Sequence, residues 1–364
     1  MNRDAFSARL AAIRPADAAA MDAARRRQAQ LAKPPGSLGK LEDISIQLAG
    51  ITGHIDNEIE KTRIYVLAAD NGVVAEGVSS APQSVTRQQA INLTRGVTGA
   101  SAIARRFGDE LVVVDVGIAE DYTCPQIVNR RIARGTKNIA KEPAMTVQQA
   151  LTALDTGMTL AAQAKRDGVT ALGVGEMGIG NTTTSAAVLM ALTGCAVEDA
   201  VGRGGGVTEE AFARKRAVVA GALARLRPDA GDAVDVLAKV GGFDLAAMAG
   251  VFLGAAESRL PVVIDGFISV VAALCAVRLC PAARDFLFAS HGSFERGYAV
   301  AAQALSLTPV LLLDMRLGEG SGCPLGFRVL EAACAAMNGM ATFEDARIDD
   351  GYLAPIRAKD CFTV

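Results

Sequence analysis

The residues of this chain best placed for chemistry are two carboxylates framed by glycines. Glu319 stands in Arg316-Leu317-Gly318-Glu319-Gly320-Ser321-Gly322. Glu176 stands in Gly173-Val174-Gly175-Glu176-Met177-Gly178-Ile179-Gly180-Asn181-Thr182-Thr183-Thr184. A glutamate in an ordinary loop sits in solvent. One set among glycines beside an apolar segment is instead held where backbone comes close to something. That is the situation at the rim of an α/β sheet, where small-molecule sites form. The plainer alternative is that the glycines only make turns.

A third segment, Val201-Gly202-Arg203-Gly204-Gly205-Gly206-Val207, precedes a helical stretch containing Lys215. Consecutive glycines ahead of a helix expose backbone N–H groups, and the helix N-terminus favours an anion, so this is a phosphate-site candidate. No Gly-Lys-Ser/Thr follows it and no strand leads into it, so it is neither a Walker loop nor the Rossmann fingerprint. A flexible surface loop is the alternative. The stretch 76–83 has turn chemistry and leads into a helix carrying Gln88 and Gln89, which by local pattern is an ordinary capped helix. Ser290-His291-Gly292-Ser293 places a serine beside a histidine, but Gly-x-Ser-x-Gly is absent, so His291 reads as a hydrogen-bonding loop residue. Cys323 would need a base to act as a nucleophile, and the chain offers only His54 and His291. With Cys124, Cys195, Cys275, Cys280, Cys334 and Cys361 it reads as a reduced, mostly buried thiol. There is no Cys-x-x-Cys, and two histidines make a zinc cluster hard to assemble. No metal and no cofactor is expected.

Strands must bring these loops together. The chain has 364 residues, 51% hydrophobic but only 4% aromatic, a composition suited to helices on a buried parallel sheet. Short apolar runs at 63–69, 111–116, 171–175, 261–264 and 286–289, with a sixth candidate at 310–313, alternate with helical periodicity. Asp70, Asn71, Glu176, Asp265, Ser290 and His291 follow the carboxyl ends of these runs, the edge where open parallel sheets bind ligands. The expected fold is α/β, a doubly wound, mostly parallel Rossmann-like sheet. A smaller helical domain is expected from residues 1–55 and 315–346, around a large domain at 56–314, with a tail at 347–364. Pro15 and Asp17 mark the start of a second N-terminal helix.

Net charge of −2, from 37 basic and 39 acidic residues, gives no argument for nucleic acid. The longest apolar stretch, 268–277, is too short to span a bilayer. Met1-Asn2-Arg3-Asp4 lacks the apolar run of a signal peptide, so a cytoplasmic protein without membrane or nucleic-acid partners is expected.

Six segments in order carry a resemblance: Lys33-Pro34-Pro35-Gly36-Ser37-Leu38-Gly39, Glu76-Gly77-Val78, the Gly-Val-Gly-Glu-Met-Gly-Ile-Gly-Asn-Thr-Thr run, Val240-Gly241-Gly242-Phe243-Asp244, Leu-Pro-Val-Val-Ile-Asp-Gly-Phe from Leu260, and Met-Arg-Leu-Gly-Glu-Gly-Ser-Gly from Met315. From about residue 8 to 346 the chain resembles the nicotinate-nucleotide:dimethylbenzimidazole phosphoribosyltransferase family. The resemblance implies transfer of 5-phosphoribose from nicotinate mononucleotide to 5,6-dimethylbenzimidazole. The products would be α-ribazole 5′-phosphate, for the cobamide nucleotide loop, and nicotinate, with inversion at the anomeric carbon. It implies Glu319 as the base that removes the azole proton, with Glu176 a second carboxylate near the ribose or the reacting centre. It implies a phosphate on the turns at Gly178, Gly204 and Gly206, with Ser293 and Lys215 as further ligands. Asp265 and Arg316 would shape the nucleotide side, and Gln89 and Leu317 would line the base pocket. It also implies a homodimer, for which the N-terminal helices offer a surface. Two departures stand out: Ala81 replaces a serine of the best-known relatives, and Gly204-Gly205-Gly206 differs from their phosphate turn. The first widens the acceptors to be considered, to adenine, other benzimidazoles or phenols. A non-catalytic nucleotide sensor on the same fold would have no need of Glu319.

Overall fold

The computed structural model describes residues 1–358, so Cys361 and the end of the expected tail lie outside the described residues. Six strands form one parallel sheet: β1 (Thr62–Ala69), β2 (Glu110–Gly117), β3 (Val128–Asn129), β4 (Ala171–Met177), β5 (Val262–Ile264) and β6 (Leu287–Ala289). Their order is β3-β2-β1-β4-β5-β6. β1, β4, β5 and β6 are buried along their whole length, as continuous apolar runs covered on both faces must be. From β1 the chain builds outward to β2 and β3, then returns to add β4, β5 and β6 on the other side. The reversal between β1 and β4 is the switch point of a doubly wound sheet, where the loops part and leave a crevice.

The expected α/β class holds, with two corrections among the strands. Residues 310–313 do not form a strand of the sheet: Leu311 makes a single parallel bridge to His291. Val310 and Leu311 are half-buried and Leu312 and Leu313 are 84% and 50% exposed, so the run lacks the two-sided burial of the other strands. Conversely, β3 extends the sheet with only two residues, too few to show a periodicity.

The helices Val147–Arg166 and Phe243–Glu257 touch backbone to backbone. A Cβ added at Gly157 would lie 2.0 Å from the Ala247 carbonyl oxygen, and one at Gly250 would lie 2.1 Å from that of Leu154. The second helix is buried from Phe243 to Ala256 and delivers Asp244 in its first turn.

The chain divides into two compact units: Met1–Arg14 with Lys61–Gly326, and Pro15–Glu60 with Phe327–Val364. The first helix, Arg3–Ala12, thus belongs with the sheet, where Arg9 pairs with Asp155 at 2.8 Å and Glu257 at 2.5 Å. Residues 315–322 belong there too, although the sequence reading put both segments in the small domain. In the second unit the helix Ala18–Gln30 starts on Asp17, whose carboxylate accepts from Ala19 and Ala20 N–H. Lys33, at the head of the Pro-Pro-Gly turn, is buried in an ion pair with Glu42 at 2.7 Å. An antiparallel bridge joins Leu31 to Thr342.

Candidate active site

The loop Gly318-Glu319-Gly320 takes the left-handed conformation at three successive residues, with φ of 82°, 63° and 83°. Glycine does this freely, whereas a side-chain-bearing residue there is strained by about 1–2 kcal/mol. The surroundings hold the strain in place. Both oxygens of Asp265 accept backbone N–H groups of this loop, Oδ2 from Gly320 at 3.0 Å and Oδ1 from Gly322 at 2.7 Å. A Cβ at Gly175 would lie 2.3 Å from Gly320 N, so the glycine of β4 is the seat on which the loop rests. Glu319 is 5% exposed. Its Oε1 accepts from Gln89 Nε2 at 2.6 Å, and its Oε2 lies 3.5 Å from the Ala100 N–H, near the limit of a hydrogen bond. Its own N–H points at Glu176 Oε1, 3.4 Å away.

Glu176 is the penultimate residue of β4 and is buried. The Asn181 side-chain amide donates both to Glu176 Oε2 and, at 3.1 Å, to Asp244 Oδ2, bridging the two carboxyl groups. Burial pushes Glu176 up to about 8; Asn181 opposes the shift and the neighbouring Asp244 and Asp265 add to it. Burial likewise raises Asp265 to about 7 and Asp244 to about 6. Three carboxyl groups raised by burial thus lie close together at this end of the sheet. Among the described residues no group of three or more His, Cys, Asp or Glu has the arrangement of a metal site.

Across the cavity the glycine turn has left-handed Gly204 (φ 57°) and Gly206 (φ 102°). Lys215 comes up beneath it from the helix Glu209–Leu226, 1% exposed, and donates to Thr182 Oγ1 at 2.8 Å and the Gly202 carbonyl at 3.0 Å. Burial lowers it to about 8, with Glu295 opposing. Gly178, before the helix Asn181–Thr193, has no room for a side chain: a Cβ there would meet the Ala69 carbonyl at 2.4 Å.

All twelve residues singled out in the sequence line one cavity of about 400 Å³. Glu319, Glu176, Gln89, Ala81 and Leu317 lie there with Gly178, Gly204, Gly206, Lys215, Asp265, Ser293 and Arg316. Asp265, expected to shape the nucleotide side, has both oxygens engaged by the loop of Glu319. Arg316 is exposed and stacks over Phe294 at 5.2 Å. The sequence reading missed Ser80, Asn181, Arg203 and Glu295, which line the same cavity. Asn181 and Arg203 lie inside the glycine-rich segments 173–184 and 201–207, and Ser80 beside Ala81; nothing in the sequence marked Glu295. His291 is buried with Nδ1 3.1 Å from Ser290 Oγ, but that hydroxyl donates to the Ile264 carbonyl at 2.7 Å. The pair is therefore structural, as expected. Cys323 is fully buried and its thiol is pushed well above the ordinary range by burial, so it is no nucleophile.

A switch-point cavity with glycine turns, a buried lysine and a clamped carboxylate has the features of a small-molecule site of an α/β enzyme, and similarity to known proteins makes the class specific. A family model described as phosphoribosyltransferase matches residues 13–348. The nicotinate-nucleotide–dimethylbenzimidazole phosphoribosyltransferase of Clostridium perfringens (strain 13 / Type A) is 52% identical over 341 residues, 94% of each chain. The enzyme of that name from Acetivibrio thermocellus is 49% identical over 90% of this chain and 94% of its own. The crystal structure of CobT from Thermus thermophilus superimposes with a TM-score of 0.88 at 44% identity, covering 92% of this chain and 100% of that one. The chain belongs to the nicotinate-nucleotide–dimethylbenzimidazole phosphoribosyltransferase family, as its ordered motifs implied, and it is a pentosyl-transferring enzyme.

Proposed function

We propose that the enzyme transfers 5-phosphoribose from nicotinate mononucleotide to 5,6-dimethylbenzimidazole or a related base, with inversion from β to α at C1′. The observation that carries this reading is the buried Glu319 carboxylate, held through Oε1 by Gln89 at 2.6 Å, in the cavity that also holds the Gly204–Gly206 turn and Lys215. The C1′–N bond to the pyridinium ring breaks and its electron pair stays with nicotinate, which leaves uncharged at nitrogen and needs no protonation. One azole nitrogen bonds to C1′ while the proton on the other passes to Glu319. Oε2 is the freer oxygen for that proton.

The phosphate lies on the backbone of Gly178, Gly204 and Gly206, with Lys215 and Ser293 completing its ligands. Glu176, at about 8 a mostly protonated carboxyl at neutral pH, faces the ribose. Asp265 acts on the nucleotide through the loop it holds. Strain at a side-chain-bearing residue persists where it serves function, and this favours catalysis over a non-catalytic sensor. Ala81 gives the base pocket an apolar wall, and apolar contacts discriminate by only about 1–3 kcal/mol per methylene-sized difference. Related bases are therefore accepted beside dimethylbenzimidazole. The test is release of nicotinate from the mononucleotide on addition of base, with several bases in competition. Absence of base-dependent release would exclude the reading.

A further inference from the structure

We propose that Asn92, which does not line the cavity, is a positioning residue that fixes which end of the Gln89 amide faces Glu319. The inference rests on the reading of Glu319 as the proton acceptor. Gln89 and Asn92 lie three residues apart on the helix Ser84–Thr94 and so share a face. Asn92 Nδ2 donates to Gln89 Oε1 at 3.3 Å, and Gln89 Nε2 donates to Glu319 Oε1 at 2.6 Å. Behind them Arg95 Nη1 reaches Asn92 Oδ1 at 3.5 Å.

A primary amide has a donor end and an acceptor end, and the two ends are nearly the same shape. Packing alone therefore sets the orientation of Gln89 weakly; its polar neighbours set it. The four groups run in one direction, from the Arg95 cation through two amides to the Glu319 carboxylate. Each carbonyl faces the positive end and each NH2 the negative end. If Gln89 turned over, its carbonyl would face the carboxylate and its NH2 would face that of Asn92. Two hydrogen bonds would become two repulsions. Asn92 thus keeps a donor on Glu319 Oε1 and leaves Oε2 toward the incoming base. It touches no substrate, and its effect travels through Gln89.

Asn92→Asp tests this, since it keeps the shape and replaces the donor with an acceptor. At about pH 8 the new carboxylate is ionised. It repels Gln89 Oε1 and favours the turned-over amide. Expected is a fall in kcat for base-dependent nicotinate release of about tenfold or more, with KM for nicotinate mononucleotide unchanged. Asn92→Ala, which frees Gln89 without reversing it, falls less. In a Gln89→Leu background Asn92→Asp has no further effect, because the group it acts through is gone. Parental kcat in Asn92→Asp, or the same loss in the Gln89→Leu background, would overturn the proposal. The amide is also read without turnover, from the Gln89 side-chain 15N–1H resonances of the intact enzyme. Their displacement in Asn92→Asp is expected, and unchanged resonances overturn the proposal. If the resonances move but the parent releases no nicotinate on adding base, it is the assignment of the reaction that fails.

Discussion

Glu319 is the residue on which the proposed chemistry turns, and its test is direct. Glu319→Ala is expected to lower turnover by roughly 10²- to 10⁴-fold with modest loss of nucleotide affinity. Near-normal turnover in a folded variant would remove it from the base role. Glu176 makes a different prediction, about stability. Its folded value of about 8 is above the ordinary 4.5 that it regains on unfolding. Below the lower value both forms are protonated and the contribution of the buried acid is fully present. As pH rises toward 8 the unfolded chain ionises first, so this contribution is lost. Glu176→Gln should therefore lose less melting temperature than the parent between about pH 5 and pH 8. Asp265 and Asp244, raised to about 7 and 6, act in the same sense and keep part of the slope in both proteins. Identical slopes would show that Glu176 does not carry the penalty. At this scale the sequence revealed residue types well. Glu319, Glu176 and Gln89 converge on one cavity, because glycine spacing and strand ends mark where backbone crowds a site. It did not reveal what each oxygen faces: nothing in Leu-Pro-Val-Val-Ile-Asp-Gly tells that the aspartate grips a loop 55 residues later in the chain.

Elements position these groups through contacts that leave no room for change. Gly250 of the helix Phe243–Glu257 lies so close to the Leu154 carbonyl that a Cβ would stand 2.1 Å from it. Gly250→Leu should force the two helices apart and destabilise the fold by about 3 kcal/mol, visible as a lower urea midpoint at constant slope. An unshifted midpoint would mean that the helix pair is looser than it looks. The glycine turn is the other such element. Gly204→Val combines a positive φ with a Cβ 2.9 Å from Thr182 Oγ1. It should raise KM for the mononucleotide and leave affinity for the free base unchanged. Loss of base affinity alone would put the turn in the other pocket. The buried strands were readable because a strand covered on both faces must be apolar throughout. The 310–313 run satisfied that pattern too, and only its lack of two-sided burial, which is a tertiary fact, told it apart.

The whole molecule carries two compact units assembled from discontinuous segments. Composition and alternation foretold an α/β sheet with a smaller helical part. The unit boundaries were less readable, because Arg9 is tied to the helices Val147–Arg166 and Phe243–Glu257 by ion pairs, and the loop at 318–322 to the Asp265 carboxylate by hydrogen bonds, none of which has a local signature. No described helix is long and apolar enough to cross a membrane. Large apolar side chains do reach the surface: Val97 is 63%, Phe294 65%, Leu312 84% and Leu317 55% exposed. The N-terminal residues Phe6, Ile13 and Ala24 are buried instead. We therefore propose that the expected dimer forms through the segment 294–317 and not through the N-terminal helices. Sedimentation velocity should give a dimer, and Leu312→Asp should shift it toward monomer. A monomeric parent would refute this.

The seat under Glu319 also bears on how this enzyme changes over time. A single methyl added at Gly175, Gly318 or Gly320 would collide with backbone, with Glu176 or with Ile64. Few substitutions there would leave Glu319 where it is. Ser80 is exposed and Ala81 half-buried on the far wall of the same cavity, and neither is so confined. On the proposed reading, the wall is therefore free to change with the available bases while Glu319 stays in place, so that a new base preference arises without loss of the proton acceptor.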